Sequence, residues 1–421
     1  MNIKKYEFKK ILSSPIFLIL ILLFIGYNAM LIRDKSHIRN NLNALNEVVH
    51  EVGYVITDDM MLEFQRFYET KRNEAFELLA KKGYPSFETM WEFFDYYENE
   101  SSNSRLTGEE ITFLERVSSI EAYYFLSSDL EFAYEEIDIS IMADLDLAKS
   151  PYNEKVNQMI RKNYDEFAVR FEELKEQGEH KNLFFHGKTY KMHSFLFKDL
   201  IKAMLYEGMI LIVLATAFLF HYEFESKTAS VTYTTKRGRN LIKDKLCVTL
   251  FATVLTTTIL LAVTLFIYFS VFDYSGLWNT SINNYFAQEY KMPYLSWWKM
   301  SVATYLAASI GVVYLLEIIF CGITFILSTF IRNTYLVFGC FAVMVGGGIL
   351  LPTLILARWD IVVASVYTPF TLILNTSWWF MLKSGLITNK YYEIVTLVTW
   401  SVFVCAIGIV CIKKFKRENM K

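Results

Sequence analysis

Residues 302–330 read VATYLAASIGVVYLLEIIFCGITFILSTF, an apolar run whose one acidic or basic residue, Glu317, stands near its centre. About 20 mostly apolar residues let a helix cross roughly 30 Å of hydrocarbon, so this stretch reads as a transmembrane helix and sets the fold class. Five further runs of the same kind lie around it, at 15–32, 203–222, 246–272, 335–357 and 394–412. The stretch 361–386 is also apolar, but Pro369, Asn375, Lys383 and Gly385 interrupt it. It reads as a re-entrant or interfacial hairpin before the last span. The expectation is an all-α membrane protein with six transmembrane helices.

The composition points the same way. Of 421 residues, 53% are hydrophobic and 17% aromatic, yet 20% are charged. That combination implies one apolar and one aqueous environment in a single chain, the aqueous part being the long polar insert after the first run. The five cysteines, Cys247, Cys321, Cys340, Cys405 and Cys411, lie in or beside apolar runs and none lies in the insert. No disulfide framework is therefore expected there. Lysines ahead of an apolar run imitate a secretory signal, but no small-x-small cleavage pattern ends the run, and it reads as a retained anchor.

Lys and Arg in short loops mark the cytoplasmic side. Lys4, Lys5, Lys9 and Lys10 precede the first run, six basic residues separate the second from the third, Arg332 separates the fourth from the fifth, and five form the tail. These segments alternate, so one orientation puts all of them, and both termini, in the cytoplasm. The insert, with 20 basic and 33 acidic residues over 33–199, then lies outside. The expected organisation is an interfacial helix at 1–13, a first span at 14–33, an extracytoplasmic, mainly helical domain at 34–199, and a five-span membrane domain at 200–421. The last contains a cytoplasmic loop at 223–245 and an outer hairpin at 358–392.

Helical signals recur through the insert. Thr107-Gly108-Glu109-Glu110 has the form of a capping box, followed by Ile111, Leu114 and Val117 at helical spacing. Asn153 is placed to start another helix, with Val156, Ile160, Tyr164, Phe167, Phe171 and Leu174 on one face and Gly178 at its stop. The acids Glu135, Glu136, Asp138, Asp144 and Asp146 lack the glycine and terminal glutamate of a calcium loop. They read as a solvated face, which would also attract a cationic peptide.

Enzyme chemistry is not legible. The chain has no G-x-x-x-x-G-K-[ST], H-E-x-x-H, G-x-S-x-G or C-x-x-C, and its histidines are scattered, with His186-Gly187 reading as a turn. Neither catalysis nor a metal site is expected. Candidates for a translocation path come instead from polar groups at membrane depth, which are costly there. Glu317 is the first, its plainer reading being a hydrogen bond to a neighbouring helix or across a dimer interface. Glu207 is placed near the outer end of its span, five residues beyond a snorkelling Lys202. Trp378 and Trp379 read as interfacial anchors or as contacts to a hydrophobic substrate. Gly346-Gly347-Gly348 and Pro352 permit close helix approach or a local break.

The loop after the second run reads Glu223-Phe224-Glu225-Ser226-Lys227-Thr228, a threonine-rich stretch, then Lys236-Arg237-Gly238-Arg239 and on to Lys245. It resembles the corresponding loop of the permeases of type-2 ABC exporters, commonly E-x-E-x-G-T followed by an arginine and a lysine before the third span. Glu223, Glu225, Thr228, Arg239 and Lys245 match in order. Lys227 stands where that family often has glycine, and the usual proline before the arginine is missing. The amphipathic Ile3–Leu12 also resembles that family's interfacial helix. The resemblance covers the membrane part, and the insert matches by position only.

It implies a permease without a cofactor of its own, paired with an ABC ATP-binding subunit that carries ATP and Mg, and docked through the coupling residues Glu223–Lys245. It further implies a second permease copy or homologue, surrounding membrane lipid, no nucleic acid, and the plasma membrane of a bacterium. The expected cargo is a peptide, a lipid-like compound or a drug. Two other readings compete: a membrane sensor or immunity protein whose outer domain binds a peptide, and a four-span mechanotransmission permease, against which the six runs count.

Overall fold

Pro15 decides how the chain enters its first long helix. The residue before a proline is pushed out of the helical region, and Ser14 is extended, with φ −78° and ψ 111°. It separates α1 (Ile3–Leu12) from α2 (Pro15–Lys35), and Pro15 sits in the first turn, where its missing amide donor costs nothing. This computed structural model describes residues 3–99, 105–185, 194–234, 238–289, 292–355 and 359–417.

The insert is helical. It comprises α3 (Arg39–Val52), α4 (Asp58–Lys81), α5 (Met90–Asn99), α6 (Gly108–Glu135), α7 (Ile139–Ala148) and α8 (Glu154–Glu176). Its local signals act as their chemistry requires. Thr107 accepts from the Glu110 amide while the Glu110 carboxylate accepts from that of Thr107, completing the capping box. Asn153 accepts from the Val156 amide at 3.1 Å, and Gly178, just past α8, has φ +64°, a conformation that favours glycine. The turn expected at His186-Gly187 lies outside the described residues.

Among the described residues, six helices are long and apolar enough to cross a membrane. Besides α2 they are α9 (Ile201–Glu225), α11 (Leu241–Val271), α12 (Val302–Phe330), α13 (Thr334–Leu354) and α16 (Tyr392–Arg417), with a short α10 (Ala229–Thr234) between α9 and α11. The helical run of α9 starts earlier than residue 203, through a π turn at Ser194–Leu200. Lys198, Asp199 and Lys202 hide that start from a hydropathy reading, although Phe195, Leu196, Phe197 and Leu200 are buried. α9 packs against α2, α11, α12 and α13 and is the most enclosed of the six. α2, α13 and α16 keep exposed apolar faces, such as Leu22, Val343 and Val402, of the kind that suits lipid.

The helices leave two chemically different ends. At one, α1, α10 and the end of α16 meet: Tyr233 packs edge-on to Phe415, and Lys416 bonds Asn240 at 2.6 Å. At the other, the insert rests on the 272–301 connection and on residues 359–391. There Phe167 packs on Trp297 with centroids 4.8 Å apart, the buried pair Arg170–Glu179 is joined by Asn283 Nδ2 at 2.6 Å, and Asp146 accepts from the Gly385 amide. The 272–301 connection contains an antiparallel pair, β1 (Gln288–Glu289) with β2 (Met292–Pro293).

Residues 359–391 fold as α14 (Trp359–Val366), α15 (Pro369–Leu372) and two 3-10 turns, Thr376–Trp378 and Gly385–Ile387. Phe370 at the α15 tip lies over Gly348, whose lack of a side chain makes the room. Its ring also meets Phe320, at 6.3 Å, and Trp400, at 5.7 Å. Trp400 is eight residues into α16, about 12 Å along its axis, so the segment dips well below that helix's start.

Candidate functional site

The basic end holds a buried charge cluster built by three elements. α9 ends at Glu225 in a Schellman motif: the Thr228 amide bonds the Glu223 carbonyl at 2.9 Å and the Lys227 amide bonds the Phe224 carbonyl at 3.2 Å. The motif requires a left-handed residue at its bend, and Lys227 supplies it with φ 58°. Glu223 is thereby held facing inward, 3% exposed. Its carboxylate accepts from Lys10 of α1 at 2.8 Å, from Lys245 of α11, and from the Tyr233 hydroxyl of α10 at 3.4 Å. Lys10 also bonds Glu7 at 2.7 Å, and Lys245 bonds the Leu219 carbonyl.

Two lysines thus face two glutamates, with no net charge buried. Burial works to lower the Lys10 amine, but hydrogen bonds and charge from Glu223 and Glu7 outweigh it and raise it above the ordinary lysine value. Breaking such a pair leaves a buried charge without its counterion, which costs about 3–5 kcal/mol. The neighbouring turn is tied in as well. Glu225 accepts from Thr334 at 2.7 Å, and His221 Nε2 contacts the Ile331 carbonyl at 2.6 Å. α9 therefore joins α1 and α11 through Glu223 and the turn before α13 through Glu225 and His221, with α10 attached at Tyr233.

Of the residues read from the loop, Glu223, Lys245, Glu225 and Thr228 come together here. Thr228 acts through its amide and through a 2.9 Å hydroxyl contact with Ser226. Arg239 belongs by its backbone to the turn Gly238–Asn240, and its side chain lies outside the described residues. Glu7, Lys10 and Tyr233 were not read as partners. The Glu7–Lys10 spacing of i,i+3 on an amphipathic helix is the signal that sequence did carry.

A second polar group lies inside the helix bundle. Glu317 is 0% exposed, and among the described residues neither carboxylate oxygen has a hydrogen-bond partner. Gly208 of α9 faces it so closely that an added Cβ would stand 2.5 Å from Oε1. The neighbouring-helix bond expected for it is not found among the described residues. Glu207 stands next to Gly208, thirteen residues past the start of the helical run at Ser194. Its Oε2 accepts from Asn28 of α2 at 2.8 Å, and Asn28 also reaches Thr264 at 3.2 Å. Asn28, a single amide in the first apolar run, was legible as a candidate and was missed.

Trp378 is half-buried and Trp379 buried. Trp379 is fully buried with Nε1 donating to the Leu372 carbonyl at 3.0 Å, and Trp378 packs on Tyr294. Each braces residues 369–381. Beside them, buried Lys383 pairs with Glu393, which also accepts from the Phe380 amide at 3.0 Å. The acidic stretch of the insert is divided among separate tasks: Asp138 caps α7, Asp144 pairs with Arg161, and Asp146 holds Gly385.

No protein-family model matches the chain, and neither a curated protein nor a solved structure matches it at a significant level.

Proposed function

We propose that the chain is the membrane-spanning half of an ATP-driven exporter, docked through its basic end onto a separate ATP-binding subunit. The observation that carries this reading is the Glu223 cluster. Buried ion pairs tie α1, α9 and α11 together, and the short helix α10 is joined to them through the Tyr233 hydroxyl on Glu223 and its ring on Phe224, which is what a part that receives a push and passes it to the spans needs. The alternating lysines orient that end to the cytoplasm, and the acidic insert then lies outside. Residues 359–391 form the re-entrant hairpin of the outer side, a reading supported by the depth of Phe370. Irregular backbone at such depth is tolerated where protein buries it. The cargo enters between two permease halves and is a peptide, lipid-like compound or drug.

Purification of the tagged chain from its native membranes tests the reading. The expected result is a stable complex with a protein bearing a phosphate-binding loop, sensitive to nucleotide and lost on Glu223→Ala or Arg239→Ala. Recovery of a kinase or regulator in its place supports the sensor reading.

A further inference from the structure

Glu317 stands apart from the other acids of the bundle by its surroundings. Its carboxyl is sealed from solvent and meets no donor among the described residues. An ionised carboxylate in such surroundings costs far more than any gain from burial, and groups so placed keep their proton.

The elements packed against it supply no counterion. α9 offers Gly208 and its neighbour Glu207, a second acid. α11 offers the buried hydroxyls of Thr253 and Thr257, and its charged residues, Lys243, Asp244 and Lys245, lie in its first turns at the basic end, where Lys245 is committed to Glu223. α12 contributes Ser309 and Cys321, and Cys321 contacts Thr216 at 3.6 Å. On α13 the titratable groups are Tyr335 and Cys340. On α16, Glu393 is held by Lys383 at the far end, and the lysines lie in the last turns.

We propose that Glu317 is a proton-binding site: its carboxyl is protonated while α9 and α12 are closed at Gly208, and it ionises when the two helices part. On opening, water enters, the carboxyl O–H bond breaks, its electron pair stays on the carboxylate, and the proton passes to water. The closed form holds one more proton than the open form, so raising the pH favours opening and lowering it favours closure. The site rests on the reading of these helices as membrane spans and not on the identity of the partner or cargo.

Infrared spectroscopy of the purified full chain in lipid, at neutral pH, tests it. The wild type is expected to show a protonated-carboxyl C=O band that disappears in Glu317→Gln and persists in Glu207→Gln. Glu317→Met takes the place of the glutamine variant if that does not fold. A difference spectrum between wild type and the Glu317 variant containing only ionised-carboxylate bands overturns the proposal. Transport is not read, so failure to find an ATP-binding partner leaves this result standing.

Discussion

Lys227 shows what a single residue adds to the loop. It occupies the left-handed bend of the Schellman motif with φ 58°, a conformation costing a side-chain-bearing residue about 1 kcal/mol. This is the position where the resembled family often has glycine, and the apparent departure has a conformational reading: the backbone keeps the bend without the easier residue. Lys227→Gly is expected to raise the thermal stability of the purified protein by about 1 kcal/mol; a drop would contradict the motif. At Glu223 the effect is larger and of opposite sign. Glu223→Ala leaves Lys10 and Lys245 buried without their partner and is expected to cost about 3–5 kcal/mol. Glu225→Ala, which loses one bond to Thr334, is expected to cost about 1 kcal/mol. Comparing the two by thermal unfolding checks this, and equal losses would argue against the cluster. The loop pattern singled out Glu223 and Lys245. It did not reveal Lys10, because that contact spans 213 positions and no local rule reports it.

Among the elements, helix boundaries with local chemistry were legible and those set by distant packing were not. Thr107, Asn153 and Gly178 announce their helix ends through side-chain caps and a left-handed bend. The π turn at Ser194–Leu200 does not, since its polar residues mask a buried face, and the depth of α15 depends on Phe320 and Trp400 from other helices. The seam between insert and membrane domain offers an elemental test. His180 stacks on Tyr134 with centroids 4.4 Å apart, and burial pushes its imidazole below the ordinary value of 6.5, partly opposed by Glu131. The folded state therefore binds fewer protons there than the unfolded state. Its contribution is complete above pH 6.5 and is lost as the pH falls from 6.5 toward the depressed folded value. Thermal unfolding across that range is expected to show a shallower decline in His180→Phe, which keeps the stacking, than in the wild type. A parallel decline in both would remove His180 from the seam's pH response.

At the scale of the whole molecule, the six apolar helices and the insert were legible because hydropathy and charge alternation are properties of long stretches. The buried carboxylates were legible as residues but not as an arrangement, since the Gly208–Glu317 contact joins two helices. The sidedness we propose for the two ends is measurable by cysteine labelling in a background lacking the five native cysteines. Ser128→Cys, on the exposed surface of α6, is expected to react with an impermeant maleimide in intact cells, and Ser226→Cys only after the membrane is opened. The reverse pattern would invert the orientation. The central claim is that α10 is the docking element for an ATP-binding subunit, and Val231 on it is 72% exposed. A photo-crosslinking residue at Val231, activated in native membranes, measures this directly. The expected product is an adduct with a protein carrying a G-x-x-x-x-G-K-[ST] loop, its yield changing with nucleotide. An adduct formed only with a protein lacking that loop, at a yield indifferent to nucleotide, would contradict the account.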